Sequence, residues 1–298
     1  MSGSQRRTVL PLARLSRHAL LTAPILFVVT FLLAPLGLTF VLSFWERDGF
    51  KLRPAFSLAS YETFFTGVRL TVLEQSLVLA VVVTLLGLLL AYPIGYFLST
   101  RVKREVGQVL LFLFAVPFVI NPIIRNFSLA YLLGRTGPIN QALIGLGVVD
   151  QAVDWLLFSN FAVILGLVMS YMPFMIYPLW LSLVGIDRRL VEASWLLGAR
   201  PDATFWRITL PLSLPGVFAA SIFGFVGTFG ESAVPIILGG LGYQLMGNTI
   251  TSSLDVLNYP LACAMSSVVT AAMLLFLVLW YRIFDIRSFL GKIMQWRY

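Results

Sequence analysis

The segment Thr71–Ser99, TVLEQSLVLAVVVTLLGLLLAYPIGYFLS, decides the class of fold, because no charged residue follows Glu74 within it. A helix needs ~20 mainly apolar residues to cross the hydrocarbon core of a bilayer. This run is long enough to cross with some tilt, and Pro93 predicts a kink near its end. The segment is therefore predicted to be a transmembrane helix.

Five more apolar runs flank this segment, at about 19–44, 107–133, 159–186, 211–239 and 261–284. Only 11% of the 298 residues are charged and the mean hydropathy is +0.91, whereas soluble domains carry about 25% charged residues. The first run exceeds the ~7–15 apolar residues of a cleaved signal peptide, so we interpret it as an uncleaved helix. The sequence predicts an all-α membrane protein, a single domain over residues 1–298 with six transmembrane helices.

The basic residues predict the orientation in the membrane. If the N-terminus is cytoplasmic, fifteen of the 21 Lys and Arg residues face the cytoplasm: Arg6, Arg7, Arg14, Arg17, Arg101, Lys103, Arg104, Arg188, Arg189, Arg200, Arg207, Arg282, Arg287, Lys292 and Arg297. The other six lie outside: Arg47, Lys51, Arg53, Arg69, Arg125 and Arg135. Cytoplasmic loops carry the excess of basic residues, so both termini are predicted to be cytoplasmic in a bacterial inner membrane. This spread over short membrane-flanking segments excludes a nucleic-acid-binding protein.

Residues typical of catalytic or metal sites are scarce. His18 is the only histidine and Cys263 the only cysteine, so no His-based metal site, catalytic triad or internal disulfide can form within the chain. The phosphate-binding pattern G-x-x-x-x-G-K-[ST] does not occur. The chain is therefore predicted not to be an enzyme and to hold no cofactor or metal. Any ATP must be bound by another subunit.

Two ionisable residues within the apolar runs, Glu231 and Arg125, are candidates for the substrate path. A charge at membrane depth costs ~2.5–3.5 kcal/mol on insertion scales, which makes it a functional candidate by default. Glu231 precedes Pro235, where a broken helix would present the carboxylate to a cationic substrate; a salt bridge with Arg125 is the alternative. For Arg125 we favour a structural role, with its guanidinium snorkelling outward or holding carbonyl groups.

Aromatic residues near the same depth form a second group of candidates: Phe118, Phe127, Tyr131, Tyr171, Phe174 and Phe229. They can line a path or form a cation–π wall for an ammonium group. More often such residues pack the helix bundle or lie in the interfacial belts. In the fifth run, Gly224, Gly227 and Gly230 recur every three residues and predict a face along which another helix approaches closely.

The segment Asp187–Pro211, DRRLVEASWLLGARPDATFWRITLP, predicts a helix–turn–helix outside the bilayer. Asp187 is the expected N-cap, Gly198 the C-terminal turn, and Pro201 the start of the second helix. Its apolar side chains require burial: Val191, Trp195, Leu196, Phe205 and Trp206. Its charged side chains exclude a position in the membrane core: Arg188, Arg189, Glu192, Asp202 and Arg207. The segment therefore either docks under the helix bundle or inserts into a soluble partner, and the residues leave both open.

This segment resembles the EAA loop of ABC importer permeases, whose pattern is E-A-A, three residues, G, nine residues, I, one residue, L-P. Glu192-Ala193-Ser194, Gly198, Ile208 and Leu210-Pro211 follow that spacing, and Ser194 in place of alanine is the only departure. In that family the loop forms a coupling helix that docks in a groove of the ATPase subunit. The resemblance implies this role for residues 187–210, through Glu192, Ala193 and Gly198, and we extend the predicted contact to Ser194, Arg188 and Arg189.

Three further motifs resemble the spermidine/putrescine permeases of the PotB type: PFVINPIIR at 117–125, FGESAVPIILGG at 229–240 and NYPLA at 258–262. The first makes Asn121 another candidate for the substrate path. The resemblance implies the type I importer fold and inward transport of a small organic solute such as a polyamine. It also implies the partners: a second, different permease chain, two ATPase subunits that bind ATP and Mg, and a periplasmic solute-binding protein on segments 45–70, 134–158 and 240–260.

Rival functions are an ABC importer of a non-polyamine solute, an ATP-independent secondary carrier or channel, and a membrane enzyme. A secondary carrier would need intramembrane carboxylates for ion coupling and should show internal repeats. The chain has one strong carboxylate of this kind and no convincing repeat. An enzyme would need a cluster of polar catalytic groups, which we do not find.

Overall fold

The computed structural model describes residues 17–49 and 51–283, except for the side chains of 17–21, 23, 118, 119 and 283. Several predictions fall outside this part of the chain. They concern the basic residues of the termini and three side chains: Arg6, Arg7, Arg14, Arg287, Lys292 and Arg297, and the side chains of Arg17, His18 and Phe118.

The described chain is almost entirely helical. The first half contains α1 (Arg17–Val28), α2 (Ala34–Leu42), an antiparallel hairpin of β1 (Glu46–Asp48) and β2 (Lys51–Arg53), α3 (Ala59–Phe65), α4 (Arg69–Thr100), α5 (Arg104–Val119), α6 (Pro122–Leu133) and α7 (Pro138–Gly145). The second half contains α8 (Asn160–Val184), α9 (Arg188–Leu196), α10 (Pro201–Thr204), α11 (Leu210–Phe229), α12 (Ala233–Leu238), α13 (Met246–Asp255) and α14 (Tyr259–Ile283). The prediction of an all-α protein is confirmed, and a short hairpin is added to it.

Five helical stretches between residues 17 and 283 are long and apolar enough to cross a membrane: Pro24–Leu42, Arg69–Thr100, Asp154–Val184, Pro201–Phe229 and Tyr259–Arg282. A sixth is formed only if α5 and the helices after it are taken as one broken span, bent by 84°. The break lies at Ile120 and Asn121, because Pro122 has no N–H to continue α5 and the Asn121 side chain caps α6. The predicted run 107–133 is therefore not one straight helix.

Two other helices are interrupted just before a proline. A π-helical turn at Val29–Leu33 precedes Pro35, and another at Phe205–Thr209 precedes Pro211. The Ala34 N–H donates to the carbonyl of Val29 and the Leu210 N–H to that of Phe205, each five residues back. Proline removes one donor of the α-helical ladder, and these wide turns re-pair the backbone around the gap.

Helices α4, α8 and α11 pack together as the centre of the bundle. Small residues allow the close approach: a Cβ at Gly216 would lie 2.5 Å from Ser182 Cβ, and one at Gly224 would lie 3.1 Å from Thr84 Oγ1. Gly224 and Gly227 thus lie on the predicted packing face, whereas a Cβ at Gly230 would meet no atom closer than 3.6 Å. This packing fixes α8 beside the end of α11, where the charged residues lie.

Candidate functional site

The segment after α8 has the local structure that its sequence predicts. Asp187 Oδ1 accepts the N–H of Arg189 at 3.0 Å, which caps the start of α9. Gly198 has φ +79°, and the Ala199 N–H donates to the Ser194 carbonyl at 2.9 Å. A left-handed glycine of this kind closes a helix C-terminus at no steric cost. Pro201 begins α10, so the predicted cap, turn and restart are confirmed.

One face of this segment is attached to the helix bundle. The Ser194 and Thr204 hydroxyl oxygens are 2.8 Å apart and both side chains are buried. The Phe205 ring makes edge contacts with Tyr92 and Tyr96 on α4, at centroid distances of 5.8 and 5.9 Å. The first contact joins α9 to α10, and the second holds the π-helical turn after α10 against the end of α4.

The opposite face is apolar and uncovered. Leu196 and Leu197 are 88% and 87% exposed, and Trp206 is 66% exposed. A Cβ added at Gly198 would meet no atom within 4 Å. Of the two possibilities left open by the sequence, docking under the bundle is confirmed for one face. Insertion into a soluble partner stays a prediction for the other face, which is uncovered within the described chain.

The predicted contact residues divide between these two faces. Arg189, Ala193 and Gly198 are exposed and do not line a pocket with the bundle. Arg188 and Glu192 are also exposed, but they line the pocket between α9 and the ends of α4 and α8. Ser194 is only 7% exposed and belongs to the inner face. Its partner Thr204 lies ten residues further along, and no feature of the sequence indicates that pairing.

Glu231 lies in the break between α11 and α12, and groups of its own chain surround the carboxylate. Oε2 accepts the Tyr171 hydroxyl at 2.6 Å, and Oε1 accepts the N–H groups of Ser232 and Ala233 at 3.0 and 2.8 Å. The carboxylate therefore caps the first turn of α12, where negative charge is favourable. The predicted run 211–239 is divided at this point, because α11 ends at Phe229 and α12 begins at Ala233.

Tyr171 reaches Glu231 because α11 has a glycine beneath the ring. A Cβ at Gly227 would overlap Cε1 and Cδ1 of Tyr171. Arg125 on α6 donates to Ser170 Oγ at 2.9 Å, so the two charged candidates bind consecutive residues of α8. The structure brings together Glu231, Tyr171 and Arg125. Ser170, the link between them, is a residue that the sequence analysis missed, because an isolated serine in an apolar run carries no signal of its own.

The other candidates for the substrate path lie in local structure or packing. Asn121 Oδ1 accepts the Ile123 N–H at 2.8 Å as the N-cap of α6. Phe229 is 1% exposed and stacks on Phe225 at a centroid distance of 5.7 Å. The structure therefore places Phe229 in the helix packing rather than with the Tyr171–Glu231 pair. Among the described residues, no three His, Cys, Asp or Glu side chains are grouped to hold a metal ion.

Comparison with protein families now assigns the chain. Residues 84–288 match the family described as "Binding-protein-dependent transport system inner membrane component". This chain belongs to that family. It is a permease subunit of a binding-protein-dependent ABC importer, a non-enzymatic inner-membrane component, as the EAA-like segment predicted.

Relatives of known function and solved structures agree with this assignment. The spermidine/putrescine transport system permease protein PotB of Escherichia coli (strain K12) is 34% identical over 258 residues, which cover 86% of this chain and 93% of PotB. The molybdenum transport system permease protein ModB of Azotobacter vinelandii is 32% identical over 176 residues, 57% of this chain and 73% of ModB.

The fold is also that of a solved bacterial ABC transporter for the acidic polysaccharide alginate, at TM-score 0.67 and 16% identity, with 90% of this chain and 94% of the other covered. A chain of that transporter in complex with the alginate pentasaccharide-bound periplasmic protein matches at TM-score 0.69 and 15% identity, with 89% and 92% covered. At such identities the likeness concerns the fold alone.

Proposed function

We propose that this permease imports a small amine-containing organic solute of the spermidine/putrescine class, and that a separate ATPase subunit drives it. The identity of 34% to PotB supports the class of solute. Glu231 supplies a partly exposed carboxylate between α11 and α12, near the aromatic ring of Tyr171. A carboxylate beside an aromatic face suits an ammonium group.

The exposed apolar face of α9 is the single observation that carries the ATPase coupling. Leu196 and Leu197 leave almost their whole side chains uncovered beside the charged Arg188, Arg189 and Glu192. An uncovered apolar patch with a polar rim is typical of a protein interaction site. In our proposal, closure of the ATPase pair pushes on residues 188–207, and Phe205 transmits the movement to α4.

The proposed assembly follows the family. The bent pair α5–α6 counts as one span, so that the chain has six spans with both termini in the cytoplasm. A second permease of different sequence completes the pathway, and two ATPase subunits bind ATP and Mg, so this chain itself needs no cofactor. A periplasmic solute-binding protein docks on the outer segments 45–70, 134–158 and 240–260.

A non-polyamine solute is the second candidate, and one contact favours it. Glu231 already accepts three hydrogen bonds from its own chain, so a cation would have to share the carboxylate with Tyr171. The 32% identity to ModB also shows that relatives of this kind carry other cargo. Uptake assays with both cationic and anionic solutes separate the two candidates.

The decisive experiment measures ATP hydrolysis and solute uptake by the complete complex in proteoliposomes, comparing wild type with Glu192→Arg and Gly198→Trp. Glu192→Arg reverses a charge on α9, and Gly198→Trp places a bulky side chain in the left-handed turn that follows α9. We expect coupled turnover to be lost while the complex still folds. Controls place the same kinds of change at exposed residues outside the proposed docking segments, at Glu105→Arg and Gly37→Trp. Uptake that continues without an ATPase would overturn the proposal in favour of a secondary carrier.

A further inference from the structure

A pocket of about 590 Å³ lies where α4 ends, α5 begins and α8 ends, with α9 closing one side. Its lining is apolar toward the bundle, where Leu98, Trp180, Leu183 and Val184 form the wall. All of these residues lie in the last turns of α4 and α8. The pocket is therefore at the level where the helices leave the membrane in the proposed topology.

The rim of this pocket is positively charged. Arg101, Arg104 and Arg188 line it together with a single carboxylate, Glu192. None of the three rim arginines has an ion-pair partner within residues 17–49 and 51–283. Three guanidinium groups around one pocket form a set of donors for an anion, because each presents a planar fork to oxygen atoms.

Trp180 adds an unpaired donor to the same wall. Its side chain is 5% exposed, and its indole Nε1–H finds no hydrogen-bond acceptor in the described part of the chain. A buried donor without an acceptor is unfavourable, because it has lost its hydrogen bond to water without gaining another. An oxygen-rich group bound in this pocket could remove that penalty after a small side-chain adjustment.

We propose that this pocket binds the headgroup of an anionic phospholipid. The phosphate lies among Arg101, Arg104 and Arg188, and the part of the lipid next to the headgroup lies at the apolar wall formed by the last turns of α4 and α8. Basic pockets between helices at a membrane surface are typical sites for such headgroups. The inference rests on the proposed topology, which puts the pocket at the bilayer surface. Because α9 lines the pocket, the bound lipid would support the coupling segment from the membrane side.

The test counts lipids bound to the purified complete complex by native mass spectrometry, with phosphatidylglycerol or phosphatidylcholine added and no ATP present. The variant is Arg101→Gln with Arg104→Gln. The matched control is Lys103→Gln with Arg282→Gln, which removes two exposed charges from the same proposed side of the membrane and leaves the pocket lining intact. We expect wild type and control to retain phosphatidylglycerol, and the double arginine variant to bind it ~100-fold or more weakly, since two charged hydrogen bonds are lost.

Three outcomes would overturn the proposal. Equal retention of phosphatidylcholine in wild type shows that the site does not select an anionic headgroup, and this arm needs no variant to fold. Displacement by inorganic phosphate at equal concentration shows a free-anion site. Loss of ATPase association without loss of lipid shows that the arginines contact the ATPase. Because bound lipid is counted without ATP, the result does not depend on ATPase coupling. Failure of the lipid proposal can therefore be distinguished from failure of the proposed ATP-driven import.

Discussion

The exposed face of α9 and the Glu231 cluster are the two regions on which the proposed transport mechanism rests, and they differ in where their contacts come from. Leu196 and Leu197 on α9 have no cover within the described chain. Glu231, by contrast, has all its nearest partners in its own chain, from Tyr171 and two backbone amides. The first region therefore leaves apolar surface uncovered, whereas the carboxylate of the second is already hydrogen-bonded, so in our proposal it must rearrange to accept a substrate.

The difference has an energetic reason. A single exposed leucine destabilises the free protein only slightly. When a partner covers it, its burial contributes about 1.5–3 kcal/mol to the free energy of binding. A carboxylate at membrane depth needs polar partners even when no ligand is bound, because an unpaired carboxylate in an apolar environment is costly. In our proposal the apolar surface is available for docking, and Tyr171 and the start of α12 satisfy the carboxylate of Glu231 when no substrate is bound.

The largest effect, on association with the ATPase, is expected when the exposed apolar surface of Leu196 and Leu197 is made charged. Leu196→Asp with Leu197→Asp removes the burial of two leucines and places two carboxylates in an apolar contact. At ~1.5–3 kcal/mol for each leucine, association with the ATPase should weaken by more than about 100-fold. The dissociation constant of the ATPase from the permease complex measures this directly.

The matched control for that variant is Leu196→Met with Leu197→Met, which keeps the surface apolar and the side-chain volume similar. Near wild-type association in the control, with loss in the aspartate variant, assigns the effect to apolar docking. Tight association of the aspartate variant would mean that the ATPase does not use this face of α9.

The second prediction concerns a variant that removes the negative charge of Glu231. Glu231→Gln keeps an oxygen for the amides of Ser232 and Ala233 but abolishes the negative charge. If a cationic solute shares this carboxylate, the KM for uptake should rise about 10- to 100-fold, which corresponds to one lost charged hydrogen bond. Tyr171→Phe is the contrasting variant, because it frees the carboxylate without removing the charge, and its KM should stay the same or fall. Unchanged uptake in Glu231→Gln would leave Glu231 as a cap of α12 only.

These two regions also differ in how far the sequence could predict them. The helical segments and the coupling segment depend on local information: apolar length, the cap at Asp187, the glycine at 198 and the spacing of the EAA-like residues. The contact of Tyr171 with Glu231 joins residues sixty positions apart, and its geometry depends on how α8 crosses α11. The sequence identified both residues as candidates but left the partner of Glu231 open.

Prolines and glycines show the same limit on what can be predicted from the sequence alone. A proline within an apolar run predicts a disturbed helix, because it removes a backbone donor, and Gly224 and Gly227 do pack as the sequence predicts. The break at Asn121 and the π-helical turns before Pro35 and Pro211 depend on which acceptor replaces the lost one. That choice is made by the surrounding backbone, so the sequence predicts that a helix is disturbed there without predicting the form of the disturbance.

A third variant, with a smaller expected effect, tests the packing of Gly227 against the Tyr171 ring beside Glu231. Gly227→Ala places a methyl group against the Tyr171 ring, which must then move away from Glu231. Overpacking of this kind costs about 1–3 kcal/mol, so the midpoint of thermal unfolding should fall and the KM should change with it. Gly230→Ala is the control on the same helix end, since its methyl group meets no atom closer than 3.6 Å. Equal midpoints for the two variants would show that Tyr171 is not held in place by Gly227.

The smallest effect is expected at Ser194, the one departure from the EAA pattern. Ser194→Ala restores the alanine of the pattern and removes the hydrogen bond with Thr204. Thr204 Oγ1 keeps a second partner, because it also donates to the Arg200 carbonyl at 3.2 Å, so no buried hydroxyl is left unpaired. The cost should therefore lie near the lower end of ~0.5–1.5 kcal/mol, seen as slightly faster hydrogen exchange in residues 188–207. Coupled ATP hydrolysis should stay within about twofold of wild type, because Ser194 lies on the inner face of α9 and its net contribution is this small. A loss of coupling as large as that expected for Leu196→Asp would place Ser194 in direct contact with the ATPase and would contradict the division of α9 into a docked and an open face.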